Sequence, residues 1–228
     1  MCMRTIPGER GRLDNKSQMM QSLFKVICKI PFIPSADCYN ITISHEKKFI
    51  WFRVAKVGTR TIFNHLKECK VCLDVEHANF IHYPIKSYDN YFKFAFVRNP
   101  WDRLVSCWQN KVINCNQMGF TDSTLEKMKN FENFVNFVST LNLQQCDRHL
   151  RSQSTLIDLN NLNYLGRMET FEDDINYVFQ RLGLMEKEVV PKNVTLNRKP
   201  YQEYYNKGTI EKVSQIYRKD IQMFGYQF

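Results

Sequence analysis

Arg53-Val54-Ala55-Lys56-Val57-Gly58-Thr59-Arg60-Thr61 and then Phe96-Val97-Arg98-Asn99-Pro100-Trp101-Asp102-Arg103-Leu104-Val105-Ser106 are the two stretches that decide the fold. Each closes a strand-like run and opens a helical repeat. Upstream of the first, Lys48 to Val54 has the length and the aromatic, β-branched composition of a buried strand. Downstream, Ile62, Phe63, Leu66 and Cys69 recur at helical spacing. Ala55 to Thr59 therefore reads as a tight strand-to-helix loop. A helix N-terminus presents unpaired backbone N–H groups and a partial positive charge, which suits an anion. Gly58 lets the backbone approach a ligand, Thr59 and Thr61 add hydroxyls, and Lys56 adds a mobile positive charge.

The second junction is marked more fully. Tyr91 to Val97 is an aromatic strand candidate, Asn99 can cap the helix that follows, Pro100 fits its first position, and Asp102 sits in its first turn. Trp101, Leu104, Val105, Trp108 and Val112 make one apolar stripe, which leaves Ser106 off that stripe and Arg98 at the strand end. Two anion-type junctions suit a ligand with two anionic ends, such as a bisphosphorylated nucleotide. Taken singly, a Lys-x-Gly-Thr loop is most often an ordinary turn, and Arg-Asn-Pro after a strand can be a capped helix with surface ion pairs. The conjunction carries the weight.

The first loop resembles a P-loop but lacks its upstream glycine and its terminal Gly-Lys-Ser/Thr, because Lys56 precedes the only glycine. Both stretches together resemble the sulfotransferases that use 3'-phosphoadenosine 5'-phosphosulfate, most closely the carbohydrate-type, family 2-like branch. In that family a Lys-containing strand-loop-helix binds the 5'-phosphosulfate. An Arg with a Ser eight positions later binds the 3'-phosphate, the spacing of Arg98 and Ser106 here. The resemblance runs from about Lys48 to the C-terminus, through Gly166-Arg167-Met168-Glu169, Asn197-Arg198-Lys199-Pro200-Tyr201 and Phe224-Gly225-Tyr226. It implies a donor site of Lys56, Val57, Gly58, Thr59, Arg60 and Thr61 at the 5' end and Arg98 and Ser106 at the 3' end, with Arg198 or Lys199 closing over the 3'-phosphate. Lys56 is then the catalytic cation at the leaving oxygen, and no metal is required because fixed cationic side chains do the neutralising.

An acceptor hydroxyl must lose its proton as it attacks sulfur, so a base is expected. His65 and His45 flank the first junction in poor positions, whereas His77 and His82 lie between the two junctions, where relatives with a His base place it. His77 precedes Arg98 by a separation like that of the glycosaminoglycan 2-O branch, and His82-Tyr83-Pro84 is similar to the His-x-Pro of cytosolic relatives. His77 is modestly favoured, with Glu76 as a further candidate. His149 and Gln153, in Asp147-Arg148-His149-Leu150-Arg151-Ser152-Gln153, resemble a stretch on the acceptor side and are assigned to substrate contact.

A chain of 228 residues, 43% hydrophobic, can build a full core. The expected organisation is a flexible N-terminal arm over 1–22 and a single sulfotransferase domain over 23–228. Strands alternating with helices imply an α/β fold, a mostly parallel, doubly wound sheet flanked by helices with the ligand at the strand C-terminal ends. Thr170 with Asp173 reads as a capping box for a helix that Gly183 stops. Ile210, Val213, Tyr217, Ile221 and Phe224 give one final helix an apolar face. The net charge of +9 fits a polyanionic donor and an acidic acceptor such as a glycan or polysaccharide. No helix-turn-helix, zinc-finger or RNA-binding signature is present, so nucleic acid is not an expected partner.

Leu23 to Ile33 is apolar but interrupted by Lys25, Lys29 and Pro31, too short for a transmembrane segment or a typical signal peptide. Animal relatives that modify glycans are usually anchored in the Golgi. The expectation here is a cytoplasmic protein, with membrane association or the Golgi as the alternative if the N-terminus is incomplete. The eight cysteines, including Cys69-x-x-Cys72 and Cys146 near His149, read as buried thiols rather than a zinc site. Two competing functions stand beside the sulfotransferase: a P-loop-like nucleotide kinase, which would need Mg²⁺ and a full Walker A loop, and a nucleotide-binding module without catalysis.

Overall fold

The computed structural model describes residues 15–30, 39–184 and 199–228, with side chains for all of these except 16 and 77–80. The described residues form two compact units. One holds 15–30, 39–97 and 156–184 and contains the sheet; the other holds 98–155 and 199–228 and is helical.

In the sheet unit, β1 (Tyr39–Ser44) and β2 (Phe49–Phe52) form an antiparallel hairpin with Ile43 opposite Ile50. A turn this short can join only antiparallel neighbours. β3 (Val75–Ile81) pairs antiparallel with the other side of β1, Ile81 opposite Tyr39. β4 (Phe92–Val97) lies parallel to β2, Phe52 opposite Ala95, and β5 (Tyr164–Arg167) parallel to β4. The order is β3-β1-β2-β4-β5. Because β1 is antiparallel to both neighbours, the other four strands all point one way. The expected α/β, mostly parallel arrangement is borne out as a mixed sheet in which β1 alone is reversed. The C-terminal ends of β3, β2 and β4 therefore share one edge, from which the chain leaves into His82, Arg53 and Arg98.

Phe49, Ile50, Trp51 and Phe52 of β2 are fully buried, as are Phe94 to Val97 of β4. Central parallel strands covered on both faces read as such unbroken apolar runs, and each large side chain so buried contributes about 1.5–3 kcal/mol. Cover comes in part from α2 (Thr59–Glu68), whose Phe63 packs on Trp51 at 4.9 Å between ring centroids, and from α6 (Phe171–Arg181), whose Phe171 meets Phe96 at 5.4 Å. α1 (Asn15–Ile27) rests on β3, burying Ser17 and Phe24; the Ser17 hydroxyl accepts the Glu76 N–H at 2.9 Å. Residues 15–22 of the expected N-terminal arm thus belong to a helix, and 1–14 lie outside the described residues.

The capping box expected at Thr170 is absent. Thr170 makes no side-chain cap, and its hydroxyl instead donates to Asp174 at 2.7 Å. Asp174 also accepts the Arg167 N–H and the Tyr164 hydroxyl, at 2.7 and 2.6 Å, tying α6 to β5. Gly183 does stop α6, at φ 64°, with Leu184 N–H donating to Phe179 C=O as in a Schellman end.

The helical unit starts with α3 (Pro100–Trp108), which runs into a π-helical turn, Gln109–Ile113. α4 (Asp122–Met128) and α5 (Phe131–Ser139) follow, each capped by the side chain before it, Thr121 and Asn130. The single final helix expected from sequence is two, α7 (Lys207–Ile216) and α8 (Arg218–Phe224), broken at Tyr217, whose buried hydroxyl donates to Leu150 C=O at 2.8 Å. Phe131 meets Trp108 and Tyr205 edge-on, at 5.2 and 4.9 Å, and closes this core.

Candidate functional site

The two junctions fall in different units, and each is built differently. At the first, β2 ends at Phe52 and the chain turns through Lys56 and Gly58, both at φ 73°, into α2. Left-handed backbone at two positions two residues apart makes the loop a tight turn, the kind of backbone in which anion nests are found. Gly58 is obligatory twice over. Its φ is one that L side chains adopt with strain, and a Cβ there would lie 2.8 Å from Phe171 Cε2 and 3.2 Å from Met168 Sδ. Lys56 adopts the same region without glycine's freedom, so the loop holds its one lysine at a cost of about 1–2 kcal/mol.

Val57 is fully buried and anchors the loop, whereas Lys56, Gly58 and Thr59 are half-buried and Arg60 is exposed. Gly58 supplies no side-chain cap to α2, so no side chain covers the first amides from that position. The Thr59 hydroxyl donates to Val54 C=O at 2.9 Å and staples the loop shut across its base. That hydroxyl hydrogen is committed to the loop, not aimed at a ligand as expected from sequence. Thr61 is buried.

Among the histidines of the sheet unit, the register separates the candidates. His82 is exposed and stands one residue beyond the end of β3, on the edge from which the first junction leaves. His77 lies inside β3, one residue before Ala78, which faces Ile41 of β1; its side chain is outside the described set. His65 is stacked on Phe179 at 4.0 Å in the core, and His45 Nδ1 pairs with the Tyr91 hydroxyl at 2.9 Å at the opposite end of the sheet. Tyr83, next to His82, is fully buried and donates to Asp158 at 2.6 Å. Its phenol is held well above the ordinary value, first by burial and then by that carboxylate.

The second junction is assembled by side chains. Asn99 caps α3 as expected, accepting from the amides of Trp101 and Asp102, with Pro100 at the first position. Its Nδ2 donates to Gln227 C=O at 2.8 Å and to the Tyr201 hydroxyl at 3.3 Å. Arg98 Nε donates to Asp102 at 2.7 Å. Trp101, Leu104, Val105 and Trp108 are buried as the stripe requires, and so are Arg103 and Cys107. Asp102 and Ser106, one turn apart, are the half-buried positions in that run, so Arg98, Asp102 and Ser106 mark the single open face of α3.

Gln153 is placed differently from the acceptor-side role read from sequence. It is fully buried, its Oε1 accepting Arg98 N–H at 3.0 Å and its Nε2 donating to Arg98 C=O at 2.8 Å. His149 Nδ1 pairs with Asp147 Oδ1 at 2.7 Å, which places the ring proton on Nδ1. Burial lowers the His149 pKa against the pull of Asp147. Burial likewise pushes Asp147 up, but the His149 hydrogen bond and neighbouring charges outweigh it and bring it down to about 2. Burial pushes the Cys146 thiol up to about 11, so it is not a reactive thiolate at neutral pH. The loop carrying these residues is fixed by buried Arg103, which donates to the carbonyls of Arg148 and Arg151 at 3.1 and 2.9 Å. Lys199 is exposed and paired with Glu203 at 3.5 Å; Arg198 lies outside the described residues. Among the described residues, no three His, Cys, Asp or Glu side chains are grouped to hold a metal ion, and no helix is long and apolar enough to cross a membrane.

Asp220 was not singled out by sequence. It is fully buried and accepts the backbone N–H groups of Gln153 and Ser154, at 2.6 and 3.0 Å. The signal was there: Val213, Tyr217, Asp220 and Phe224 follow the helical spacing of one stripe, so this carboxylate stands on the apolar face.

A family model described as the sulfotransferase family matches residues 39–227. Among curated proteins, carbohydrate sulfotransferase 11 of Mus musculus is 27% identical over 166 residues, covering 60% of this chain and 47% of its own length. Carbohydrate sulfotransferase 10 of Xenopus laevis is 23% identical over 235 residues, covering 89% of this chain and 64% of its own. An uncharacterized protein of Archaeoglobus fulgidus is 32% identical over 102 residues, 45% of this chain and 76% of its own. The chain thus spans about half to two thirds of the length of the carbohydrate sulfotransferases it matches. No solved structure matches it.

Proposed function

The chain belongs to the sulfotransferase family, and on that premise we propose that it transfers a sulfuryl group from 3'-phosphoadenosine 5'-phosphosulfate to a carbohydrate hydroxyl, with the helix Asn15–Ile27 as part of the domain expected over 23–228. The observation that carries this reading is the second junction. An arginine at a helix start, braced by Asp102 and in line with Ser106 on the one open face of a buried helix, suits a phosphate monoester. The loop at Lys56 to Gly58 suits the other anionic end, the 5'-phosphosulfate. Gly58 keeps that loop in its tight turn, since a Cβ there would collide with the Phe171 ring.

In this reading the amides of Gly58 to Thr61 hold the 5'-phosphate, while Arg98 and Ser106 hold the 3'-phosphate. The acceptor oxygen attacks sulfur in line, the sulfur–oxygen bond to the 5'-phosphate breaks, and the proton of the hydroxyl passes to a base. Lys56 neutralises charge growing on the leaving phosphate oxygen, which is where a loose transition state of this kind gains most. His82 is favoured over His77 as the base because it stands exposed past the end of β3, on the edge that carries the first junction. A carbohydrate acceptor rests on the relatives' names and on the net charge of +9, which favours an acidic glycan.

The test is transfer of labelled sulfate from the donor to a panel of glycans, with Lys56→Ala and Arg98→Ala as controls. Transfer that falls to background in both variants is expected, and wild-type rates no higher than theirs would favour a binding module without catalysis. Calorimetry adds the donor arm: adenosine 3',5'-bisphosphate is expected to bind, and binding of ATP with Mg²⁺ in its place would overturn the reading in favour of a kinase.

A further inference from the structure

We propose that Gln153 and Asp220 form a two-stage brace that positions Arg98, so that recognition of the donor's 3'-phosphate is set by residues 55 and 122 positions away that do not touch the ligand. This rests on the donor reading above. Arg98 lies between the last residue of β4 and the cap of α3, where the backbone belongs to neither ladder. Its N–H and C=O need partners, and buried peptide groups without them are costly.

Gln153 supplies both from one side chain. A primary amide presents its oxygen and one of its two N–H groups on the same side, as a single strand residue presents its N–H and C=O, so it can mimic an adjacent strand across one residue. Here Oε1 takes Arg98 N–H at 3.0 Å and Nε2 reaches Arg98 C=O at 2.8 Å. Two simultaneous bonds fix both the position and the rotation of the Arg98 peptide groups. Oε1 and Nε2 both end on Arg98 and the residue is fully buried, so no face of it is left for an acceptor sugar.

A glutamine can brace only if its own backbone is held. Gln153 opens a short 3-10 turn, Gln153–Thr155, and Asp220 of α8 takes the N–H of Gln153 at 2.6 Å and of Ser154 at 3.0 Å, one on each carboxylate oxygen. Asp220 is itself fully buried. A buried carboxylate binding two amides is a strong, directional contact. The order of support is thus Asp220, the Gln153-Ser154 amides, the Gln153 side chain, the Arg98 backbone, and finally the Arg98 guanidinium, whose Nε is set by Asp102 at 2.7 Å. Bidentate recognition of a phosphate tolerates little displacement of the fork, so a loosened root is felt at the ligand.

The experiment measures, on the full chain, affinity for adenosine 3',5'-bisphosphate and for adenosine 5'-monophosphate, which lacks the 3'-phosphate. Gln153→Met keeps volume and removes both bonds. It is expected to weaken the bisphosphate about tenfold, the scale of misplacing one bidentate contact, and to leave the monophosphate unchanged. In an Arg98→Ala background the same substitution should have no further effect on either ligand, because the group it positions is gone. Asp220→Asn, which keeps the shape of the residue, should lower discrimination in the same direction by a smaller factor, and serves if Gln153→Met does not fold. Unchanged discrimination in whichever of these folds, or an effect that persists undiminished without Arg98, overturns the brace alone. Equal affinity of the wild type for the two nucleotides overturns the donor reading and the brace with it.

Discussion

The first junction is shaped by its own backbone and the second by side chains brought from elsewhere in the chain. Between Phe52 and Thr59 the conformation is written in the loop itself, in two left-handed residues and one hydroxyl staple to Val54, and only the room at Gly58 is limited from afar, by Phe171 and Met168. At Arg98 and Asn99 the contacts to Asp102 and the first amides of α3 are joined by bonds to Gln153, Tyr201 and Gln227, all distant in sequence. Two ways of shaping a strand-to-helix junction follow, one vulnerable to any added atom and one vulnerable to the loss of remote hydrogen bonds.

The comparison breaks most sharply at Gly58. Gly58→Ala adds strain at φ 73° and a Cβ 2.8 Å from the Phe171 ring; it is expected to cost about 2–4 kcal/mol in denaturant unfolding and to abolish donor binding. A second change, Phe171→Leu, should return part of the stability. No recovery would mean that the ring is not the obstacle. Lys56→Gly separates strain from chemistry: turnover should drop by about 10²–10³-fold while stability rises by about 1 kcal/mol, as relief of the left-handed lysine requires. A simultaneous loss of stability would show that the side chain, not the backbone, holds the loop.

Asn99→Ala probes the other mode. It removes a helix cap and two donated bonds, and should lower stability by about 1–2 kcal/mol with no change at the first junction. A loss above that range would mean Asn99 holds more of the unit than its cap. The smallest effect is a pH dependence in the helical unit. Burial lowers the His149 pKa below its ordinary 6.5, so as pH falls the unfolded chain takes up this proton first. Stability should therefore decline from about pH 6.5 downward through the folded value and be flat above it. His149→Gln should remove that slope, and an unchanged slope would assign it to another group.

The local mode is also the one that sequence reveals. The positions of β2, α2, β4 and α3, the cap at Asn99 and the stripe from Trp101 to Val112 were all legible, because each is encoded within a few residues of itself. β1 itself went unread, and its reversal with it, since strand direction depends on which neighbour pairs with it. Gln153 looked like an acceptor contact because a polar residue near His149 gives no hint of a partner 55 positions upstream. Asp220, between Lys219 and Ile221, reads as part of a solvated Arg-Lys-Asp run until its stripe is counted against Val213, Tyr217 and Phe224. The break at Tyr217 hid it further, because one helix was expected where two meet.

The π-helical turn at Gln109–Ile113 bears on how such a protein can change over time. A π turn is an α-helix that has absorbed one additional residue, and it sits just past Ser106. Insertions or deletions at this point re-register everything from Asn114 onward and leave the eight-position interval between Arg98 and Ser106 untouched. The joint thus separates the register of Arg98 to Ser106 from changes of length in the loops beyond it.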